Sequence, residues 1–89
     1  PRLLTGKVAM ISGVGPGLGA TLARRFAEHG ADLVLIARGA DRLELPADAR
    51  SGADVVTAAT DITDAEACRR ATAAAIERFG RIDVIVNNA

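Results

Sequence analysis

The sequence predicts an α/β fold built as a doubly wound parallel sheet. Three observations support this. Four short apolar runs predict strands, and the first two are unbroken, as is typical of strands that are covered on both faces. Segments with apolar residues at helical spacing lie between these runs. A glycine-rich turn, with glycines at positions 13, 15, 17 and 19, joins the first run directly to the first helical segment. The predicted order is βαβαβαβ, with each crossover right-handed.

The predicted elements follow one another along the chain without a repeat or a low-complexity linker. The strands are expected at residues 8–11, 32–37, 53–59 and 82–86, and the helices at about residues 18–29, 39–50 and 64–79. The middle helix is the weakest of the three, because Pro46 cannot continue a helix interior without cost. Thr63 and Glu66 predict a capping box at the start of the last helix. Gly30 and Gly80 are placed to end the first and last helices.

The strand order should be 3-2-1-4, as in Rossmann-type sheets. Ligands of such sheets bind beyond the carboxyl ends of the strands, where the order reverses between strands 1 and 4. Residues 12–19, Arg38, Asp61 and residues 87–88 all follow predicted strands at that edge. The sequence therefore predicts one binding site assembled from four separate segments.

The glycine-rich turn predicts a phosphate site, because unpaired backbone N–H groups there meet the positive end of a helix dipole. Its spacing fits more than one cofactor. Residues 15–20 match the dinucleotide pattern G-x-G-x-x-G/A, with Gly17 placed to let a pyrophosphate approach the backbone. Residues 13–17 resemble the glycine loop of methyltransferases that bind S-adenosylmethionine. Ser12 and Gly13, followed by Gly17 and Gly19, resemble the T-G-x-x-x-G-x-G loop of short-chain dehydrogenases/reductases.

The end of the second strand favours one cofactor. Folds that bind NAD place an acidic residue there to accept from the ribose 2′-hydroxyl, but this chain has Ala37 and then Arg38. Asp32 lies at the wrong end of the strand. A guanidinium with no carboxylate beside it suits a 2′-phosphate, so Arg38 predicts NADP(H) over NAD(H). Ser12 and Ala37 also stand where a methyltransferase usually carries acidic residues, which weakens that alternative.

Composition narrows the function classes. The chain of 89 residues is 49% hydrophobic and 25% charged, with a formal net charge of zero. This balance gives no electrostatic case for binding nucleic acid or an anionic membrane. The single cysteine excludes an internal disulfide, and the start of the chain has no apolar signal segment. We expect a cytoplasmic protein. His29 and Cys68 have no partners in sequence that suggest a metal or a nucleophile.

The C-terminal stretch favours one family. Residues 79–89 resemble the fourth strand and the N-N-A-G motif of short-chain dehydrogenases/reductases, and the resemblance extends over essentially the whole chain. It implies that the glycine loop holds the pyrophosphate, that Asp61 accepts from the adenine amino group with Ile62 against the ring, and that Asn88 and Ala89 line the nicotinamide-side ribose. Asn87 would mainly tie strands together. The cofactor-binding residues expected in full are Ser12, Gly13, Gly15, Pro16, Gly17, Leu18, Gly19, Arg38, Asp61, Ile62, Asn88 and Ala89.

Three features depart from the family pattern. Ser12 replaces the usual threonine, and Pro16 gives the loop no backbone N–H at that point. The family's catalytic serine and Tyr-x-x-x-Lys pair have no counterpart, and the chain contains no tyrosine. We therefore expect residues 1–89 to be the incomplete NADP(H)-binding segment of an oxidoreductase whose catalytic part follows residue 89.

The resemblance implies hydride transfer between nicotinamide and a carbonyl or alcohol substrate, in a protein that forms a homo-oligomer. The alternative is a dinucleotide-binding or sensing module without catalysis. Since strand 4 would lie at a sheet edge, we expect residues 1–89 alone to be partly unfolded or associated.

Overall fold

The computed structural model describes residues 2–13, 18–38 and 49–87. Four strands and two helices lie within these ranges. In chain order they are β1 (Val8–Ser12), α1 (Leu18–Glu28), β2 (Asp32–Ala37), β3 (Val55–Ala59), α2 (Ala65–Phe79) and β4 (Val84–Asn87). The predicted helix over residues 39–50 lies almost entirely outside the described ranges.

The four strands form one parallel sheet in the order β3-β2-β1-β4, which confirms the predicted order. Ser12 at the end of β1 pairs with Ile36 of β2 and with Asn87 of β4. Ala37 at the end of β2 pairs with Ala59 at the end of β3. The carboxyl ends of all four strands therefore lie together at one edge of the sheet.

The two central strands are buried on both faces, as their solid apolar sequences predict. On one face, α1 packs on alternate strand residues through small side chains; this cluster includes Ala9, Ile11, Leu33, Leu35, Ala23 and Ala27. On the other face, α2 packs through Ala71 and Ala75 against Val8, Met10, Val34 and Ile36. Alanine at the helix contacts lets both helices lie close to a sheet of larger residues.

The third and fourth strands begin two residues later than predicted, because the first residues of these apolar runs lie outside the strands. The third strand begins at Val55 instead of residue 53, because Ala53 N–H donates to Arg50 O (2.8 Å) and closes a turn. Ser51 and Gly52 in this turn both have positive φ. The fourth strand begins at Val84 instead of residue 82. Just before it, the side chain of Asp83 accepts a hydrogen bond from the backbone N–H of Val8 in β1.

The predicted capping box at the start of α2 is wrong. The N-cap is Asp64, whose carboxylate accepts from the backbone N–H groups of Glu66 and Ala67. Thr63 is not available as the cap because its hydroxyl and its N–H both donate to Asp61. Gly80 ends α2 in the left-handed conformation, as predicted.

A short lead-in before β1 is held against the turn that follows α1. Leu4 N–H donates to His29 O (2.8 Å), and Leu3 N–H lies 3.4 Å from His29 Nδ1. His29 is one residue beyond α1, and Gly30 follows with φ +91° and donates to Ala27 O. His29 therefore serves the packing of the N-terminal segment. Within the parts of the chain that the structure describes, no helix has the length and apolar character needed to cross a membrane.

Candidate dinucleotide site at the carboxyl ends of the strands

The switch point between β1 and β4 is joined by polar contacts. The Ser12 hydroxyl lies 3.2 Å from Asn87 Oδ1 and 3.4 Å from Val86 O, within reach of donating to either. Ser12 and Asn87 are register partners in the β1–β4 pair, so the contact between their side chains adds to the backbone pairing of the two strands. These contacts fix the ends of β1 and β4 relative to each other at the point where the strand order reverses.

The chain leaves β1 through a backbone turn that demands glycine. Gly13 has φ +77°, a conformation that residues with a Cβ rarely adopt. The helix α1 begins at Leu18, and Gly19 in its first turn is buried. That first turn contains no acidic side chain, so an anion at the helix start meets no like charge from it. Gly15, Pro16, Gly17, Asn88 and Ala89 lie outside the described residues, as does the side chain of Leu18.

Arg38 and Asp61 meet at the same edge of the sheet. Arg38 follows β2 directly, and Asp61 lies two residues beyond the end of β3. The backbone brings them together, since Ala37 pairs with Ala59 and Thr60 N–H donates to Ala37 O (2.8 Å). The guanidinium of Arg38 donates through Nη2 to Asp61 Oδ2 at 3.0 Å. Arg38, predicted to bind the 2′-phosphate, and Asp61, predicted to bind the adenine, are thus in direct contact with one another. The sequence-based premise that Arg38 has no carboxylate beside it is therefore wrong.

Thr63 fixes the orientation of the Asp61 carboxylate. Its hydroxyl donates to Asp61 Oδ1 at 2.7 Å and its backbone N–H donates to the same oxygen at 2.9 Å. These two donors, together with Arg38, lower the pKa of Asp61 from 3.8 to about 2. Asp61 is therefore a carboxylate at every physiological pH. The role of Thr63 was missed from the sequence, although the spacing Asp-x-Thr is typical of an Asx turn.

Ile62 lies between these residues and is 44% exposed. Its backbone carbonyl accepts a weak hydrogen bond from Cys68 Sγ at 3.5 Å. Cys68 is half-buried on α2, on the same helix face as the buried Ala71 and Ala75. An exposed isoleucine beside a carboxylate offers an apolar surface and an acceptor side by side, which suits an aromatic base with an amino group.

A second polar network lies at the opposite end of the sheet. Asp83 Oδ2 accepts from Val8 N–H (2.9 Å), and Asp83 N–H donates to Val8 O (2.9 Å). Arg81 binds the same carboxylate through Nε and Nη2. Arg81 and the Val8 N–H lower the pKa of Asp83. This network fixes the start of β4 against β1, and its distance from the carboxyl ends of the strands makes it part of the scaffold.

The residues at the carboxyl ends fit a nicotinamide dinucleotide in three respects. Gly13 and the start of α1 form the backbone features of a phosphate site. Arg38 supplies a cation beside the end of β2. Asp61 and Ile62 supply an acceptor and an apolar surface next to it. These features belong to three different elements that the parallel sheet brings to one edge.

Comparison with known proteins identifies the family. A family model described as short chain dehydrogenase matches residues 7–89, which is nearly the whole chain. This chain belongs to the short-chain dehydrogenase family. Short-chain dehydrogenases are oxidoreductases that bind a nicotinamide dinucleotide, and the geometry at the carboxyl ends of the strands agrees with that class of cofactor.

Curated short-chain dehydrogenases show the same similarity. The chain is 41% identical over 83 residues to 1,6-dihydroxycyclohexa-2,4-diene-1-carboxylate dehydrogenase of Pseudomonas putida, covering 93% of this chain and 31% of that protein. It is 43% identical over 89 residues to 11-beta-hydroxysteroid dehydrogenase A of Sesamum indicum, covering 97% and 26%. The chain therefore spans about a third or less of the length of these relatives.

A solved short-chain dehydrogenase/reductase confirms the fold. The enzyme from Serratia marcescens superposes with a TM-score of 0.86 at 39% identity, covering 97% of this chain and 36% of that one. The parallel sheet in the order 3-2-1-4 with its flanking helices is thus shared with a known member of the family. The family match also favours the dinucleotide alternative for the glycine loop over the methyltransferase one.

Proposed function

We propose that this chain is the cofactor-binding segment of an NADP(H)-dependent oxidoreductase. The observation that supports NADP(H) over NAD(H) is the residue at the end of β2. Ala37 ends the strand and Arg38 follows with its side chain 78% exposed at the edge where the cofactor ribose would lie. An NAD-binding member would have an acidic side chain there to accept from the 2′-hydroxyl, whereas a guanidinium binds a phosphate monoester.

The proposed cofactor contacts divide the site into a phosphate part and an adenosine part. The loop residues Gly13, Gly15, Gly17, Leu18 and Gly19 hold the pyrophosphate through backbone N–H groups at the start of α1. Pro16 belongs to the same cofactor-binding loop but donates no N–H. Arg38 binds the 2′-phosphate, and Asp61 with Ile62 binds the adenine. We assign Asn88 and Ala89 to the nicotinamide-side ribose, and Ser12 at the end of β1 to the same part of the cofactor. When bound, NADPH supplies a hydride from C4 of its nicotinamide ring.

The reaction that we propose for the whole protein is hydride transfer between the cofactor and a small carbonyl or alcohol substrate. The relatives named as dehydrogenases support this class of reaction. The groups that would donate a proton to the substrate are proposed to follow residue 89, since the chain contains no tyrosine and spans about a third of its relatives. A homo-oligomeric state and a cytoplasmic location stay predictions.

The test of the cofactor assignment is a titration of NADPH and NADH against Arg38→Asp and Arg38→Ala. A charge-assisted hydrogen bond contributes about 1.5–3 kcal/mol, and the aspartate adds repulsion. Because Arg38 is 78% exposed, we expect Arg38→Asp to weaken NADPH by about 2–3 kcal/mol, or about 30- to 150-fold. NADH should change by less than about threefold, because it carries no 2′-phosphate.

The matched control is Arg2→Asp, which makes the same change of charge in the lead-in before β1, at the amino end of the sheet. It should leave both affinities unchanged. Equal losses of NADPH and NADH binding in Arg38→Asp would show that Arg38 does not recognise the 2′-phosphate.

A further inference from the structure

The contact between Arg38 and Asp61 joins two groups that the proposed function assigns to different parts of the cofactor. Each group is near the surface, with 78% of the Arg38 side chain and 41% of the Asp61 side chain exposed. They meet through a single contact between Nη2 and Oδ2 at 3.0 Å. A single exposed contact between a long side chain and a carboxylate is easily exchanged for a better partner.

The two oxygens of Asp61 have separate partners. Oδ1 accepts hydrogen bonds from the hydroxyl and the backbone N–H of Thr63, at 2.7 and 2.9 Å. This oxygen therefore stabilises the turn after β3. Oδ2 is directed at Arg38. The contacts of Thr63 and Arg38 also keep the carboxyl charged, since its pKa is lowered to about 2.

We propose that Asp61 is a specificity-determining residue that holds Arg38 through Oδ2 in the free protein and yields it to a 2′-phosphate. This inference rests on the NADP(H) function proposed above. A nucleotide with only a 2′-hydroxyl offers Arg38 no anionic partner, whereas the adenine is the same in both kinds of nucleotide.

Charge decides the direction of the exchange. A phosphate monoester carries between one and a half and two negative charges at neutral pH, and its oxygens can accept two parallel N–H bonds from a guanidinium. The Asp61 carboxylate carries one charge and makes one contact with Arg38. Asp61 therefore loses Arg38 to a 2′-phosphate, but it lowers the affinity for that phosphate by competing for the cation and by adding a like charge.

The experiment measures binding of adenosine 2′,5′-bisphosphate and adenosine 5′-monophosphate by isothermal titration calorimetry to the full chain. The two probes differ only in the 2′-phosphate. The variant is Asp61→Asn, which keeps Oδ1 as an acceptor for Thr63 and removes the charge that holds Arg38. The matched control is Asp64→Asn, which removes a carboxylate three residues away, while asparagine keeps the N-cap of α2.

We expect the ratio of affinities, bisphosphate over monophosphate, to rise about two- to fivefold in Asp61→Asn, the size that exposed ion pairs support. The control should change the ratio by less than about 1.5-fold. In an Arg38→Ala background most of the gain from Asp61→Asn should disappear, because no guanidinium remains to be released.

The outcomes separate this inference from the proposed function. If the wild type prefers the bisphosphate but its preference is unchanged or falls in Asp61→Asn, the exchange is overturned and the NADP(H) assignment stands. A gain that persists in full without Arg38 also overturns the exchange. If the wild type shows no preference for the bisphosphate, the NADP(H) assignment fails and this inference fails with it.

Discussion

The turn between α1 and β2 provides the sharpest test of the packing, because a single methyl group probes it. Gly30 has φ +91°, and a Cβ placed there would lie 2.8 Å from Thr5 Oγ1 and 3.1 Å from Thr5 Cα. The hydroxyl of Thr5 can rotate away, but its Cα belongs to a lead-in that Leu4 fastens to His29. Gly30→Ala should therefore displace the lead-in as well as strain the turn.

The magnitude has two parts. Left-handed backbone costs a residue with a Cβ about 1–2 kcal/mol. Forcing a methyl group into a filled space costs about 1–3 kcal/mol more. We expect Gly30→Ala to lower the free energy of unfolding by about 2–5 kcal/mol in total. The assay is equilibrium unfolding of the full chain in urea, compared at an unchanged m-value.

Gly80→Ala is the matched control, because Gly80 has a similar φ, +78°. Apart from its chain neighbours, no atom of the residues that the structure describes lies within 4 Å of the place that an added methyl group would occupy. It should show the backbone part alone, about 1–2 kcal/mol. Adding Thr5→Ala to Gly30→Ala should restore only part of the loss, since the contact with the Thr5 backbone remains. If Gly30→Ala and Gly80→Ala are equally destabilising, the described packing of the lead-in against Gly30 is wrong.

Three further predictions concern the scaffold. Asp83→Asn should destabilise the protein at pH 7 by removing the bidentate partner of Arg81. Because folding lowers the pKa of Asp83 below its ordinary 3.8, its stabilisation is present above that value and is lost as the pH falls through the folded-state pKa. The difference in free energy of unfolding between the wild type and Asp83→Asn, measured in urea, should therefore shrink in acid. A difference that does not depend on pH would contradict a stabilising ion pair between Arg81 and Asp83. Asp64→Ala should lose about 1 kcal/mol of stability through the N-cap of α2, with Asp64→Asn nearly neutral by the same assay. Residues 1–89 alone should associate through β4, where Ile85 is 71% exposed at the sheet edge. Ile85→Lys should reduce that association in size-exclusion chromatography, and an unchanged elution profile would place the contact elsewhere.

The sheet was largely predictable because the sequences of its central strands are themselves typical of buried strands. Residues 33–36 are an unbroken apolar run, and a strand buried on both faces requires such a run. Helix periodicity then placed Ala71 and Ala75 correctly on the buried face of α2. The start of α2 was predicted less well, because Thr63 and Asp64 are both good caps and the choice depended on the Asp61 side chain.

The sequence predicted which residues lie at the candidate site, but it did not predict the contacts between them. Arg38 and Asp61 were expected at one edge because both follow strands of a parallel sheet. Their ion pair joins residues 23 apart in sequence, and it depends on the register that pairs Ala37 with Ala59. The link between Asp83 and Val8, 75 residues apart, depends in the same way on how β4 aligns with β1. Sequence spacing alone carries no information about such registers.

The central claim is that a nicotinamide dinucleotide binds at the carboxyl ends of the strands. Its most direct test is a titration of NADPH into ¹⁵N-labelled full chain, followed by backbone amide chemical shifts. We predict saturable shifts at Ser12, Gly13, Arg38, Asp61 and Ile62, with no change at the amino ends of β1 and β4, at Lys7, Arg81 and Asp83. Shifts confined to the amino ends, or no saturable shift with millimolar NADPH, would contradict the claim.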